Sequence, residues 1–336
     1  MKAIMLRETG GPKQLKYEEV PEPSPGRGEV VVRLQAAALN RRDVFITYGQ
    51  YPGIKLPAIP GSDGAGEVVA VGEEVSNVSS GNEVIINPGL GWGNDIHQKS
   101  SDFSILGVPS NGTYAQYVKV PAENVFKKPS HLSWEEAAAL PLGGVTAYRS
   151  LVTKGQVKEG ESVLIPGVGG GVATFLVQFA SALGADVYVT SSKEEKIEKA
   201  KGFGAVGGVN YAAENWSKEL KKMTGGIDLS VDSIGGEVFD ALVSLGKTGS
   251  RIVSFGATKG PVPKLVMPKI FLKEITIFGS TMGSPQEFQQ MVDLVEEHQI
   301  HPVLDETYSL EEAMTAQLRM ENGENFGKII LAIPQD

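Results

Sequence analysis

The sequence predicts an α/β protein in which a doubly wound parallel sheet accompanies a β-rich domain. Three observations carry this. Short β-rich runs fill the first third of the chain, strands and helices alternate from about residue 133, and a glycine-rich turn joins an apolar strand to an apolar helix.

In the first third, β-rich runs recur as AIML near the start and at residues 30–34, 67–72, 83–88 and 113–120. Gly/Pro stretches at 21–26 and 60–66, and a longer one at 88–112, separate them, the pattern of a small barrel or sandwich. The texture then changes. Ser133 followed by Glu136 forms a capping-box signature that opens an Ala-rich helix. Beyond it ESVLIPG reads as a strand, GGVATFLVQFASALG as a helix, ADVYVTSS as a strand and KEEKIEKAKGFG as a helix. Further strands are expected at 227–232, 250–255 and 275–278, with a helix at 236–245. Such alternation implies parallel strands with crossover helices. The tail differs again: an amphipathic helix at 285–298, an extended piece, the helix EEAMTAQLRM and a final strand KIILAI.

Length and composition bound the function. A chain of 336 residues with 41% hydrophobic and 21% charged residues is long enough for two cores and too apolar to be disordered. Its net charge of −9 lacks the basic footprint of a general nucleic-acid binder, so no nucleic-acid partner is expected. With no cysteine, disulfides, thiolate nucleophiles and every Cys-containing zinc site are excluded. The start, MKAIMLRETGG, has no signal-like apolar core. Residues 162–185 carry no charge, yet Pro166, five glycines and Gln178 interrupt them, so no membrane span is expected. A cytoplasmic protein is the expectation.

The most informative element is VLIPGVGGGVATFLVQFA. Gly167, Gly169, Gly170 and Gly171 permit a sharp turn and let backbone N–H groups, Val172 included, approach a pyrophosphate at a helix N-terminus. The best fit to the spacing is Gly167-x-x-Gly170-x-x-Ala173. NAD sites usually place an acid at the end of the second strand. Here that strand ends in Thr190, Ser191, Ser192 and Lys193, and Lys196 follows one turn later. Hydroxyls and cations suit the 2′-phosphate of NADP. Glu194 stays open as a ribose partner, and KEEK also reads as a solvated helix start. Ser233, Phe255 and Gly256 fall where later strand ends would meet a ligand crevice.

These motifs, in this order, resemble the medium-chain dehydrogenase/reductase superfamily, and within it the zinc-free quinone oxidoreductase-like (zeta-crystallin-like) branch. The resemblance runs nearly end to end, through PGRGEVVVRLQAAALNRRDVF, PGSDGAGEVVAVG, NGTYAQYVKVP, EEAAALPLGGVTAY, the glycine turn and GKIIL. It implies a GroES-like catalytic domain at both chain ends with a Rossmann domain inserted between them. The expected division is 1–122, 123–279 and a return segment 280–336. A homodimer joined through Rossmann edge strands is also implied.

The resemblance further implies site residues. Zinc alcohol dehydrogenases carry a Cys where this chain has Asn40, a His at the place of Ser62, and a third ligand near Leu142; none of the three residues here makes the usual site. Asp63 and Glu67 remain as carboxylates, a poor zinc set alone. His298 and His301, spaced like a metal pair, straddle a helix end and a strand start with Pro302 following at once, and read as surface or capping residues. No metal is therefore expected. Without a Lewis acid, hydride transfer needs a ready acceptor such as a quinone or an α,β-unsaturated carbonyl. Asn40, Tyr48 and Tyr51 are the candidate hydrogen-bond or proton donors, with packing beside Pro52 as the other reading of the tyrosines. Asp43 is expected to orient the turn after Asn40. Thr146 would lie near the nicotinamide, and Tyr211, Ser192 and Lys196 near the adenosine 2′-phosphate. Phe278-Gly279-Ser280 and Phe326-Gly327-Lys328 would close over the cofactor. The stretch 88–112, with Trp92 and Phe103, departs from the short linkers of many quinone reductases. Alcohol or aldehyde oxidoreduction, and a non-catalytic NADPH-binding role, are the alternatives.

Overall fold

A computed structural model describes residues 1–335, which form two compact units. The first comprises Met1–Val145 and the segment from Gly283 onward; the second is Thr146–Met282. The first boundary therefore falls inside the helix Pro141–Tyr148, not at residue 122. The reason is the Ala-rich helix Trp134–Ala139. Its Ala137, Ala138 and Ala139 are fully buried, and it packs on the strands Glu29–Ala38 and Asp63–Val71 of the first unit. Small side chains permit that close approach. The helix opens with the expected capping box, Ser133 Oγ accepting from Glu136 N–H at 3.2 Å.

In the first unit, the long strand Glu29–Ala38 organises a seven-stranded sheet. It pairs antiparallel with Asp63–Val71, Tyr117–Pro121 and the final strand Lys328–Ala332. The register brings distant segments together. Ala38 faces Asp63 on one side and Ile330 on the other, and Leu39 N–H continues the pairing onto Ile329 at 3.0 Å. The starts of two strands and the end of a third thus converge just before the short helix Arg41–Thr47. Leu34, Ile46, Val68, Ile86, Tyr114 and Leu331 pack the core beneath. Residues 88–112 form an excursion that returns into this core through Leu106 and Val108. A two-stranded ribbon, Gly89–Leu90 with Ser104–Ile105, closes it, and buried Trp92 meets Phe103 edge-on at 5.4 Å.

The second unit is a six-stranded, all-parallel sheet. Its strand order is Ala205–Asn210, Asp186–Ser191, Ser162–Ile165, Ile227–Asp232, Gly246–Ser254 and Thr276–Gly279. The order reverses between the third and fourth of these, the place where open α/β sheets bind ligands beyond their C-terminal strand ends. Valines, leucines and isoleucines fill the central strands Ser162–Ile165 and Ile227–Asp232, where both faces are covered. The uncharged stretch 162–185 is a strand, a turn and the helix Gly171–Ala182. No helix among the described residues is long and apolar enough to cross a membrane.

Candidate functional site

In the second unit the turn after Ser162–Ile165 is built from backbone. Gly167 has φ +70°, and a Cβ there would come 2.7 Å from Ile234 Cδ1. Its N–H donates to Thr190 Oγ1 at 3.1 Å and Val168 N–H to Thr190 O at 2.8 Å, tying the turn to the next strand end. Gly169 has φ +141°, and a Cβ there would lie 3.1 Å from Lys196 Nζ, so the lysine lies across the glycine backbone. Gly170 caps the helix and opens onto empty space. Gly171 and Val172 begin the helix, whose first N–H groups and dipole favour an anion.

Neighbouring strand ends bring the other predicted residues into line. Tyr211 N–H donates to Ser191 O at 3.0 Å and Asn210 Nδ2 to Ser192 O at 3.3 Å, so exposed Ser192 sits beside half-exposed Tyr211. Asp232, Ser254 and Gly279 are register partners across three strands, which sets Ser233, Phe255, Gly256, Phe278 and Ser280 along one edge of the sheet. Asp232 is spent within this edge. Its fully buried carboxyl accepts from Ile234 and Gly235 N–H at 2.8 and 3.1 Å, and burial raises its pKa above the usual carboxylate value. Thr146 is buried at the start of the unit.

The first unit builds its cluster from side chains. Asp63 is fully buried and both its carboxylate oxygens are engaged: Oδ1 accepts from Leu142 N–H at 2.9 Å, while Oδ2 accepts from Lys328 Nζ at 2.8 Å and Asn40 Nδ2 at 2.9 Å. Lys328, 2% exposed, also donates to Asn40 Oδ1 at 2.9 Å. Asn40 N–H donates to Asp43 Oδ2 at 2.8 Å, so Asp43 does orient this turn. Asp43 is fully buried, held by Tyr114 O–H at 2.8 Å, and burial raises its pKa despite nearby Arg42. Arg42, itself buried, stacks its guanidinium 4.6 Å from the Tyr51 ring centroid and donates to Ser62 Oγ and Leu106 O.

Lys328, expected against a cofactor, therefore has its ammonium engaged with Asp63 and Asn40. Phe326 is buried, its N–H donating to Asp305 Oδ1 at 3.0 Å. The two tyrosines differ. Tyr48, 41% exposed, hydrogen-bonds the Glu321 carboxylate, which raises its pKa. The Tyr51 hydroxyl has no hydrogen-bond partner among the described residues.

The three positions at which zinc enzymes are expected to hold metal, Asn40, Ser62 and Leu142, do meet around Asp63. They do not fit zinc. Ser62 Oγ is taken up by Arg42 and by donation to Leu106 O at 2.8 Å, Leu142 contributes only its backbone, and an ammonium sits on both remaining oxygen ligands. Among the described residues no group of three or more His, Cys, Asp or Glu is arranged to hold a metal. Sequence reasoning missed that Lys328 completes this cluster. Nothing local signals a contact across 265 residues.

Two family descriptions match the chain: alcohol dehydrogenase GroES-like domain over residues 26–130, and zinc-binding dehydrogenase over 171–297. The zinc-type alcohol dehydrogenase-like protein C1773.06c of Schizosaccharomyces pombe is 37% identical, covering 99% of both chains. The corresponding protein YogA of Leptosphaeria maculans is 36% identical, over 95% of this chain and 94% of its own. A crystal structure of an NAD-dependent alcohol dehydrogenase superposes with a TM-score of 0.95 at 38% identity, covering 99% of this chain and 100% of that one. An acryloyl-coenzyme A reductase of Sulfurisphaera tokodaii and a quinone oxidoreductase of Pseudomonas aeruginosa are 31% and 30% identical, each over 98% of this chain and 99% of its own.

Proposed function

The chain belongs to the medium-chain dehydrogenase/reductase superfamily, and within it we propose a zinc-independent, NADPH-dependent reductase of quinones or α,β-unsaturated carbonyls. The observation that carries the proposal is the buried Lys328–Asp63–Asn40 cluster, at the place where zinc ligands would otherwise converge. With no metal-binding donor set to polarise an alcohol or ketone oxygen, the chemistry shifts to acceptors that already take hydride readily. Relatives named for acryloyl-coenzyme A and quinone reduction support this reading.

NADPH, when bound, supplies the hydride. The protein's part is to bind, orient and donate hydrogen bonds. The glycine turn would hold the pyrophosphate on backbone N–H groups, and Lys196, Ser192 and Tyr211 would meet the 2′-phosphate. The second N–H of Asn40, not used by Asp63, donates to the oxygen on which negative charge develops. Tyr51, whose ring lies under the Arg42 guanidinium and whose hydroxyl is uncommitted, is the stronger proton-donor candidate; Tyr48 is tied to Glu321.

Turnover of a quinone and an enone panel with NADPH and NADH tests the reading, with metal content measured on the same sample. The expected result is NADPH-dependent reduction without stoichiometric zinc, reduced in Tyr51→Phe and retained in Tyr48→Phe. The names of the nearer relatives favour a second reading, alcohol or aldehyde oxidoreduction. Zinc-dependent alcohol oxidation in the same assays would establish it, and cofactor binding with no turnover would mark a non-catalytic protein.

We also propose a homodimer through the free edge of the second unit's sheet. The edge strand Thr276–Gly279 and the neighbouring Leu265, Met267, Phe271 and Leu272 expose large apolar side chains, the last two at 62% and 74%. Light scattering on wild type and Phe271→Glu tests it. A monomeric wild type would sink the idea.

A further inference from the structure

We propose that Lys328 is the resident cation of the first unit's cluster and acts as a positioning residue for Asn40, fixing the amide so that its second N–H is preset as a donor. This deepens the reductase reading and rests on it.

The argument starts from hydrogen-bond inventory. An ammonium only donates and a carboxylate only accepts, whereas an amide has one face of each kind. Asn40 sits between the two. Its Oδ1 takes Lys328 Nζ at 2.9 Å and its Nδ2 gives to Asp63 Oδ2 at 2.9 Å. The flipped amide would set N–H against ammonium and oxygen against carboxylate, so one orientation alone survives. Both bonds involve a charged partner, the stronger class. The third side of the triangle, Lys328 Nζ to Asp63 Oδ2 at 2.8 Å, keeps the charges matched.

The frame is also rigid. Asn40 has its own N–H on Asp43, and Asp43 is pinned by Tyr114. Lys328 and Asp63 are each the first residue of a strand paired with Glu29–Ala38, so the sheet register fixes all three backbones. A divalent ion could enter only by expelling the ammonium. The positive charge that a metal would bring is here supplied covalently, and the amide it orients is organised before any ligand arrives.

The test uses the full-length protein with Lys328→Met, Lys328→Arg, Asn40→Ala and the Asn40→Ala/Lys328→Met double variant. Selective ¹⁵N-asparagine labelling reads the Asn40 side-chain amide without substrate. Lys328→Met is expected to shift both Asn40 amide protons and speed their exchange, with Lys328→Arg close to wild type. It is also expected to lower kcat ~10-fold, leave NADPH affinity unchanged, and cost nothing further in the Asn40→Ala background. Unchanged Asn40 signals, or an undiminished kcat loss in the Asn40→Ala background, would overturn the proposal. Should Lys328→Met not fold, Asp63→Asn/Lys328→Met removes both charges and is read against Asp63→Asn. The amide spectrum decides the positioning role even if wild type reduces no quinone or enone, an outcome that defeats only the reductase reading.

Discussion

The two units handle anions by opposite means. In the second, the candidate phosphate site is written in backbone: a positive-φ Gly167, a Gly169 overlain by Lys196, and the bare start of Gly171–Ala182. In the first, Asp63 is met by side chains from residues far apart in the chain, with the interaction sealed from solvent. The contrast teaches where stability and binding separate. A backbone turn at a strand end can receive a ligand while costing the fold little. A buried ion pair is part of the fold, and removing one partner strands the other.

The largest effect expected from this contrast is on stability. Lys328→Met leaves Asp63 buried without its counter-charge and should cost about 3–5 kcal/mol. Asp63→Asn/Lys328→Met should recover much of that, measured by urea unfolding. Equal losses would mean the charges are not coupled. A smaller effect is expected at Gly167→Ala, which forces a side chain into positive φ against Ile234. The expected cost is about 1–3 kcal/mol, with weaker binding of NADPH and NADH alike. Smallest for the fold is Lys196→Ala, expected to stay within ~0.5 kcal/mol of wild-type stability. NADPH affinity should nevertheless fall ~10–100-fold, and NADH affinity should hold. Cofactor fluorescence titration checks it. Equal loss for both cofactors would remove the 2′-phosphate role and reopen Glu194.

How much was readable in the sequence follows the same divide. The glycine turn, its flanking strand and helix, and the alternation of the second unit could be read because each signal lies within a few residues. The strand Leu15–Glu19 and the helix Arg41–Thr47 were not anticipated; one is charge-rich and the other too short to show a period. An Ala-rich helix says nothing about which sheet it will cover, and the first unit accordingly runs on past residue 122 to Val145. In the cluster, Asn40 and Asp63 stood out only through family resemblance. Lys328 was visible in the GKIIL motif, yet its partner is set by the pairing of Lys328–Ala332 with Glu29–Ala38, a long-range register that no local pattern encodes.

The final strand also dictates an order of events during synthesis. Residues 146–282 are contiguous, so the inserted sheet has all its strands once they emerge. The first unit begins earlier and finishes last. Until Lys328 arrives, Asp63 has no ammonium, Glu29–Ala38 has an open edge, and Asn40 is unoriented. Domains usually complete in N- to C-terminal order as the ribosome delivers them; here the middle of the chain should close first and the beginning wait for the end. Limited proteolysis of ribosome-stalled chains ending before Lys328 is expected to spare the inserted unit and cut the first. Protection of both would mean that the last strand is dispensable for closure.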